Sequence, residues 1–148
     1  MTSTPTRTMS DTTPAAEAEE LARRLINDVW SDGDLDAIDE LVTEDYVDVY
    51  EDEVTAEGRG AFREYVAGFR ESFPDFGKEI EELIATDDAV ALRFMATGTH
   101  EGVYEGIEPS GTEMSFAGSI FFHFEDGKIS ETYESADTWG MMEDLGAV

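Results

Sequence analysis

An Asp-Gly pair at positions 126 and 127 separates two alternating runs, Ser115–Glu125 and Lys128–Asp137, and this hairpin constrains the fold more than any other stretch. Both central residues of a tight type I′ turn need positive φ, which glycine favours and aspartate tolerates. A two-residue turn pairs Phe124 with Ile129, Phe122 with Glu131, Ile120 with Tyr133 and Phe116 with Asp137. That register ends an otherwise apolar stripe on Asp137, where burial raises a carboxyl pKa toward the range of a general acid/base. The same parity puts His123 on the opposite face, beside Ser130 and Thr132, unless a bulge near Ala136 or a three-residue turn reverses it. Glu131 falls on the apolar face and needs a partner there, for which Arg93 is available.

Upstream of the hairpin the period is helical first and alternating later. Ala18, Leu21, Leu25 and Val29 recur at helical spacing between Ala15 and Trp30. Ser31-Asp32-Gly33-Asp34 stops this helix, and Asp34 can cap a short second one through Leu41. Tyr46–Tyr50 alternates as a short strand. Gly58–Phe73 is a third helix with Phe62, Val66, Phe69 and Phe73 on one face, ended by Pro74. Lys78–Ile84 and Ala89–Thr99 read as strands around Thr86-Asp87-Asp88, the second with Val90, Leu92, Phe94 and Ala96 on one face and Arg93 on the other. His100–Thr112, HEGVYEGIEPSGT, is longer than a tight hairpin needs and reads as a functional lip. Trp139–Leu145 forms a short closing helix. Met1–Pro14, rich in Thr, Ser and Pro, reads as a disordered arm in which Met1 and Met9 both fit as a start. Residues 15–148 then form a single domain. Helices followed by a meander of four long strands give an α+β plan, with a curved sheet wrapped over the N-terminal helices to enclose an apolar pocket.

Charge narrows the function classes. The chain carries 36 acidic against 9 basic residues, a formal net charge of −27, and Lys78 and Lys128 are its only lysines. The acids are dispersed rather than gathered in a tail, which points to a protein adapted to concentrated salt, in the cytoplasm of a halophile, where screening removes self-repulsion. Nucleic acid is a poor partner for such a surface and none is expected, since phosphate contact needs clustered Lys and Arg. There are no cysteines and two histidines, so disulfides, thiol catalysis and a zinc cage fall away and no metal is expected. No apolar run reaches membrane-spanning length.

Four stretches in this order resemble the SnoaL-like polyketide cyclase family, within the α+β cone fold shared with nuclear transport factor two. They are NDVWSDGDLDAIDELVTEDYVD, FRESFPDF, GTHEGVYEGIEPSGTEMSF and FEDGKISETYESADTWGMMEDLG, spanning about Leu21 to Gly146. What the resemblance implies is an intramolecular aldol ring closure without metal or cofactor, on a small hydrophobic carbonyl compound. It implies an aspartate acid/base matching Asp137, helped by a histidine matching His123, and a homodimer formed through the outer sheet face. The chain departs from the family pattern at Tyr133, where Trp is frequent, at Pro109-Ser110-Gly111, where Pro-Thr-Gly is usual, and at Val49, where His is common.

Each candidate has a plainer reading beside the functional one. Asp137-Thr138-Trp139 also looks like an N-cap and first helical turn. His123 fits a structural or interface role as well as a catalytic one, and His100 fits loop structure as well as ligand contact. Trp30, Tyr46, Phe69, Phe73 and Tyr133 are core residues by default and pocket residues if a pocket exists, with Asn27, Tyr46 and Tyr133 able to orient a carbonyl. Two rival functions remain: a non-catalytic small-molecule-binding or accessory protein, and an epoxide hydrolase or ketosteroid-isomerase-like enzyme. The former keeps the pocket without the acid/base chemistry; an epoxide hydrolase would draw on Arg93 and Asn27.

Overall fold

The computed structural model describes residues 13–148. Most of the arm expected over residues 1–14 therefore lies outside the described residues; Thr13 is buried. The helix α1 (Ala15–Arg24) runs on through a π-helical segment, Leu25–Ser31, and buries Ala18, Ala22, Leu25, Ile26, Val29 and Trp30. A 3₁₀ turn (Leu35–Ala37) and the one-turn helix α2 (Ile38–Leu41) follow. Asp34 stands at the expected cap position, but its side chain makes no capping bond.

Six strands form one mixed sheet: β1 (Val42–Tyr50), β2 (Glu53–Glu57), β3 (Gly77–Ala85), β4 (Ala89–Thr99), β5 (Glu113–Glu125) and β6 (Lys128–Ala136). Their order is β2-β1-β6-β5-β4-β3, and every neighbouring pair is antiparallel except β1 with β6. The meander β3 to β6 matches the expectation. β1 is longer than the alternation implied, and β2, five residues long, carries only Val54 and Ala56 as an apolar alternation. The helix α3 (Arg59–Ser72) lies against β1 and β2, and α4 (Thr138–Asp144) against β5. The fold is thus α+β, a curved sheet closed by helices. The face bearing Val90, Leu92, Phe94, Ala96, Ile120, Phe122 and Phe124 is buried against them.

The hairpin turn forms where the Asp-Gly pair demands it, with Asp126 at φ 52° and Gly127 at φ 78°. Phe124 pairs with Ile129 as expected, but the register then shifts, and His123 faces Glu131 while Phe122 faces Thr132. Ser130 is the extra residue. A one-residue bulge flips every later side chain of the strand. Hence Thr132 and Glu134 point inward, while Glu131 and Tyr133 point outward, opposite to the tight-hairpin reading. Ile120 pairs with Glu134 instead of Tyr133, and Asp137 lies past the last pair, Gly118 with Ala136. Arg93 does not meet Glu131; on the outer face it pairs with Glu81 at 3.3 Å and Glu82 at 3.5 Å.

Arg70 ties the helical layer to the sheet. Its guanidinium donates to the carbonyls of Trp30 (2.7 Å), Phe76 (2.8 Å) and Pro74 (2.8 Å). Gly33, at φ 73°, makes this possible, since a Cβ there would stand 2.8 Å from Arg70 Nε. The lip after β4 is anchored too: the backbone N–H groups of Glu101 and Gly102 both donate to the Ser72 carbonyl at the end of α3.

Candidate active site

Between the helices and the inner sheet face lies a cavity of about 70 Å³. Trp30, Tyr65, Phe69, Phe76, Tyr104 and Phe116 supply its aromatic wall; Asp48, Tyr50, Lys78, Glu134 and Thr138 supply its polar groups, and Met141 completes it. Trp30 is the hub of the wall, in edge-to-face contact with Tyr65 (5.8 Å), Phe69 (6.0 Å) and Phe76 (5.9 Å) between centroids. Such contacts fix ring orientation as well as burying area.

The polar groups converge because of two bulges. The Ser130 bulge in β6 turns Thr132 and Glu134 inward. A second irregularity leaves Thr55 as the extra residue of β2 opposite Asp48 and Val49. Thr55 Oγ1 then donates to Asp48 Oδ2 at 3.0 Å, while Thr132 Oγ1 donates to Asp48 Oδ1 at 2.8 Å. Tyr46, wholly buried, shares a short hydrogen bond with Thr132 behind this pair. Tyr50 bonds Thr138 at the first turn of α4.

Lys78 reaches the cavity from β3 with only 3% of its side chain exposed, and its Nζ lies 3.0 Å from Glu134 Oε1, itself 15% exposed. The ammonium also sits 4.6 Å from the Trp30 ring centroid and 4.5 Å from that of Phe94. A buried cation needs a counter-charge and close acceptors or π faces, and Lys78 has both. Burial raises the Asp48 carboxyl above its ordinary value, and the nearby Glu134 charge raises it further. The hydroxyls of Thr132 and Thr55, and the Lys78 charge, pull it part of the way back. Burial also pushes the Tyr104 phenol up to about 12 and lifts those of Tyr65 and Tyr50. Two carboxyl groups and one amine thus face an apolar space, an arrangement that can take, hold and return a proton.

Of the residues singled out in the sequence, Trp30 and Phe69 line the cavity. Tyr46 stands one layer behind it, through Thr132. Phe73 is fully buried outside the lining, stacked on His100 at 5.5 Å. His100 is fully buried as well, and neither ring nitrogen has a hydrogen-bond partner. Asn27 lies exposed beside a shallow hollow along α1. Tyr133 and His123 stand on the outer sheet face, ring to ring at 5.8 Å. Asp137 is exposed and caps α4, its Oδ1 accepting from the Gly140 N–H at 2.9 Å. Asp48, Lys78 and Glu134 were missed. Lys78 shares its parity with Ile80, and Asp48 with Tyr46, while the inward turn of Glu134 follows only from the bulge at Ser130.

Among the described residues, no group of three or more His, Asp or Glu is placed to hold a metal ion, and no helix is long and apolar enough to cross a membrane.

A mixed sheet closed by helices over a cavity with inward carboxyls defines an α+β cone domain of the small-molecule-pocket kind. Residues 20–145 match the family model described as SnoaL-like polyketide cyclase, and the chain belongs to that family. Solved structures of the same fold include AclR of Streptomyces galilaeus, a proposed hydroxylase, at 28% identity with 90% of this chain and 98% of that one covered and a TM-score of 0.80. A proposed SnoaL-like polyketide cyclase from Jannaschia sp. CCS1 is 22% identical, with 98% and 99% covered and a TM-score of 0.82. IdmH, a proposed polyketide cyclase from Streptomyces antibioticus, is 23% identical, with 87% and 98% covered and a TM-score of 0.76. Curated proteins yield no significant match.

Proposed function

We propose that this protein carries out general acid/base chemistry on a small hydrophobic carbonyl compound, of the kind that closes a ring by intramolecular aldol addition. The observation that carries the reading is the Lys78–Glu134 pair beside Asp48, facing an aromatic cavity. Glu134 is the base that removes a proton next to the carbonyl. The Lys78 ammonium stabilises the enolate oxygen, and charge is worth more there than in water because the walls exclude solvent. Asp48, with its raised pKa, returns a proton to the product alkoxide. The role that the resemblance gave to Asp137 passes to Glu134 three residues earlier, the acid of β6 that lines the cavity.

Exchange of α-protons for deuterium in small ketones such as 2-butanone, followed by proton NMR in concentrated salt, tests this without knowledge of the substrate. Wild-type protein should exchange about 10²–10⁴ times faster than Glu134→Gln. Equal rates would sink the proposal. Asp137→Asn separates the two carboxylates: loss of exchange there, with Glu134→Gln active, would restore Asp137 as the base.

A second reading is favoured by the modest volume of the cavity and by the Lys78 contact that already engages Glu134. A protein that only binds a small apolar metabolite would show a retained ligand in native mass spectrometry and no Glu134-dependent exchange. Epoxide hydrolysis has less support, because Arg93 and Asn27 lie away from the cavity. The net charge of −27 supports a salt-adapted, cytoplasmic protein. Exposed Phe121 and Tyr133, paired across the outer face, support a homodimer formed through it.

A further inference from the structure

We infer that Lys78 is a covalent capture site, its Nζ forming a Schiff base with an aldehyde or ketone held in the cavity. This deepens the carbonyl reading above, on which it rests, with an iminium on Lys78 taking the place of the ammonium held against an enolate oxygen. Seven of the nine basic residues are arginine, yet the cation that lines the cavity is one of only two lysines. An arginine would hold Glu134 at least as well, through two parallel bonds, but it cannot shed its proton. A lysine can, and the free amine is a nucleophile toward carbonyl carbon.

The surroundings of Nζ suit each stage. Glu134 Oε1, at 3.0 Å, takes one proton from the ammonium. The nitrogen lone pair then attacks the carbonyl carbon, a C–N bond forms, and the C=O π pair moves to oxygen, which receives a proton from the new C–NH₂⁺ group. The carboxylic acid of Glu134 protonates the resulting hydroxyl, the C–O bond breaks, and one water leaves. The product is an iminium, so ammonium plus carbonyl has become iminium plus water, with charge conserved and Glu134 again a carboxylate. The iminium inherits the place of the ammonium, with the Glu134 carboxylate on one side and the Trp30 and Phe94 rings at 4.6 and 4.5 Å. A site built to hold a cation at that nitrogen stabilises both ends of the reaction. The iminium also acidifies the neighbouring C–H, which is the proton that ring closure requires.

The experiment uses the full chain in concentrated salt with acetone and sodium cyanoborohydride, which reduces an iminium to a stable isopropylamine. Peptide mapping by mass spectrometry reads Lys78 against Lys128, whose Nζ donates to the Asp39 carbonyl at an exposed site and serves as the internal control. Lys78 should be alkylated about ten times faster than Lys128 in folded protein. That preference should vanish in urea and fall in Glu134→Gln while the Lys128 rate stays constant. Lys78 reacting no faster than Lys128 in folded wild-type protein would overturn the inference, whatever the variant does. Glu134-dependent α-proton exchange without a Lys78 adduct leaves the acid/base reading and removes this one. A Lys78 adduct without Glu134-dependent exchange does the reverse.

Discussion

Replacing Lys78 by methionine isolates the energetics of the cavity. Methionine keeps the unbranched stem against Trp30 and Phe94 and removes only the ammonium. The pair it breaks has side chains 3% and 15% exposed, and severing a buried pair costs about 3–5 kcal/mol because the remaining charge is stranded. The partial exposure of Glu134 lets water reach it and puts the expected loss near the low end, about 3 kcal/mol. For a domain of this size that lowers Tm by about 6–12 °C. The loss should depend on pH in a definite direction. Lys78 is one of the groups holding the Asp48 carboxyl down against burial and the Glu134 charge, so its removal lifts Asp48 further above its unfolded value. A group with a raised folded pKa stabilises the fold below the unfolded pKa, about 3.9, and loses that contribution as pH rises through the folded one. The deficit of the variant should therefore be smallest near about pH 4 and grow toward neutrality. Urea unfolding followed by far-ultraviolet circular dichroism, at fixed high salt and several pH values, measures it. The double variant Lys78→Met/Glu134→Gln should recover most of the loss, since it strands no charge. An unchanged urea midpoint in Lys78→Met, or a deficit that grows on acidification, would refute the reasoning.

Four further outcomes follow from the same geometry. Asp48→Asn should flatten the fall of stability with rising pH above about pH 4, because the raised carboxyl is gone; an unaltered pH profile in urea melts would contradict it. Asp137→Ala should cost about 1 kcal/mol through the lost cap of α4, read as a shift in urea midpoint. Gly118→Ala should cost about 1–3 kcal/mol, since its Cβ would stand 2.6 Å from Phe94 Cζ and 2.8 Å from the Ser135 carbonyl oxygen; a wild-type melting temperature would refute it. In alkaline titration by phenolate absorbance, Tyr104 should stay protonated toward about 12, so that stability falls once the unfolded phenol begins to ionise, near about pH 10.

The helices and the long meander were legible because each repeats one period over ten residues or so. Phe62 and Val66 on α3, and Val90, Leu92, Phe94 and Ala96 on β4, fall on the buried side as their spacing required. The turn was legible from two residues. The site was not, and the reason is local. Ser130 occupies a bulge that no side-chain chemistry announces, and one inserted residue exchanges Glu134 and Thr132 for Tyr133 and Glu131 on the inner face. Strand β2 was illegible for another reason: Glu53–Glu57 is a five-residue edge strand whose alternation rests on Val54 and Ala56 alone. Lys78 read as the start of a strand, and only the folded sheet brings it under Glu134, 56 residues later in the chain.

The parallel pairing of β1 with β6 sets an order of events during synthesis. Asp48 and Thr132 are 84 residues apart in sequence yet hydrogen-bonded, so until the last strand leaves the ribosome Asp48 has Thr55 of β2 but not Thr132 as a partner. Non-local pairing of this kind is slow and leaves strands open to association meanwhile. A nascent chain stalled before Ile129 would hold β1 beside no neighbour but β2. The edge of β1 that β6 covers would stay open in such a chain until the final strand closes the sheet.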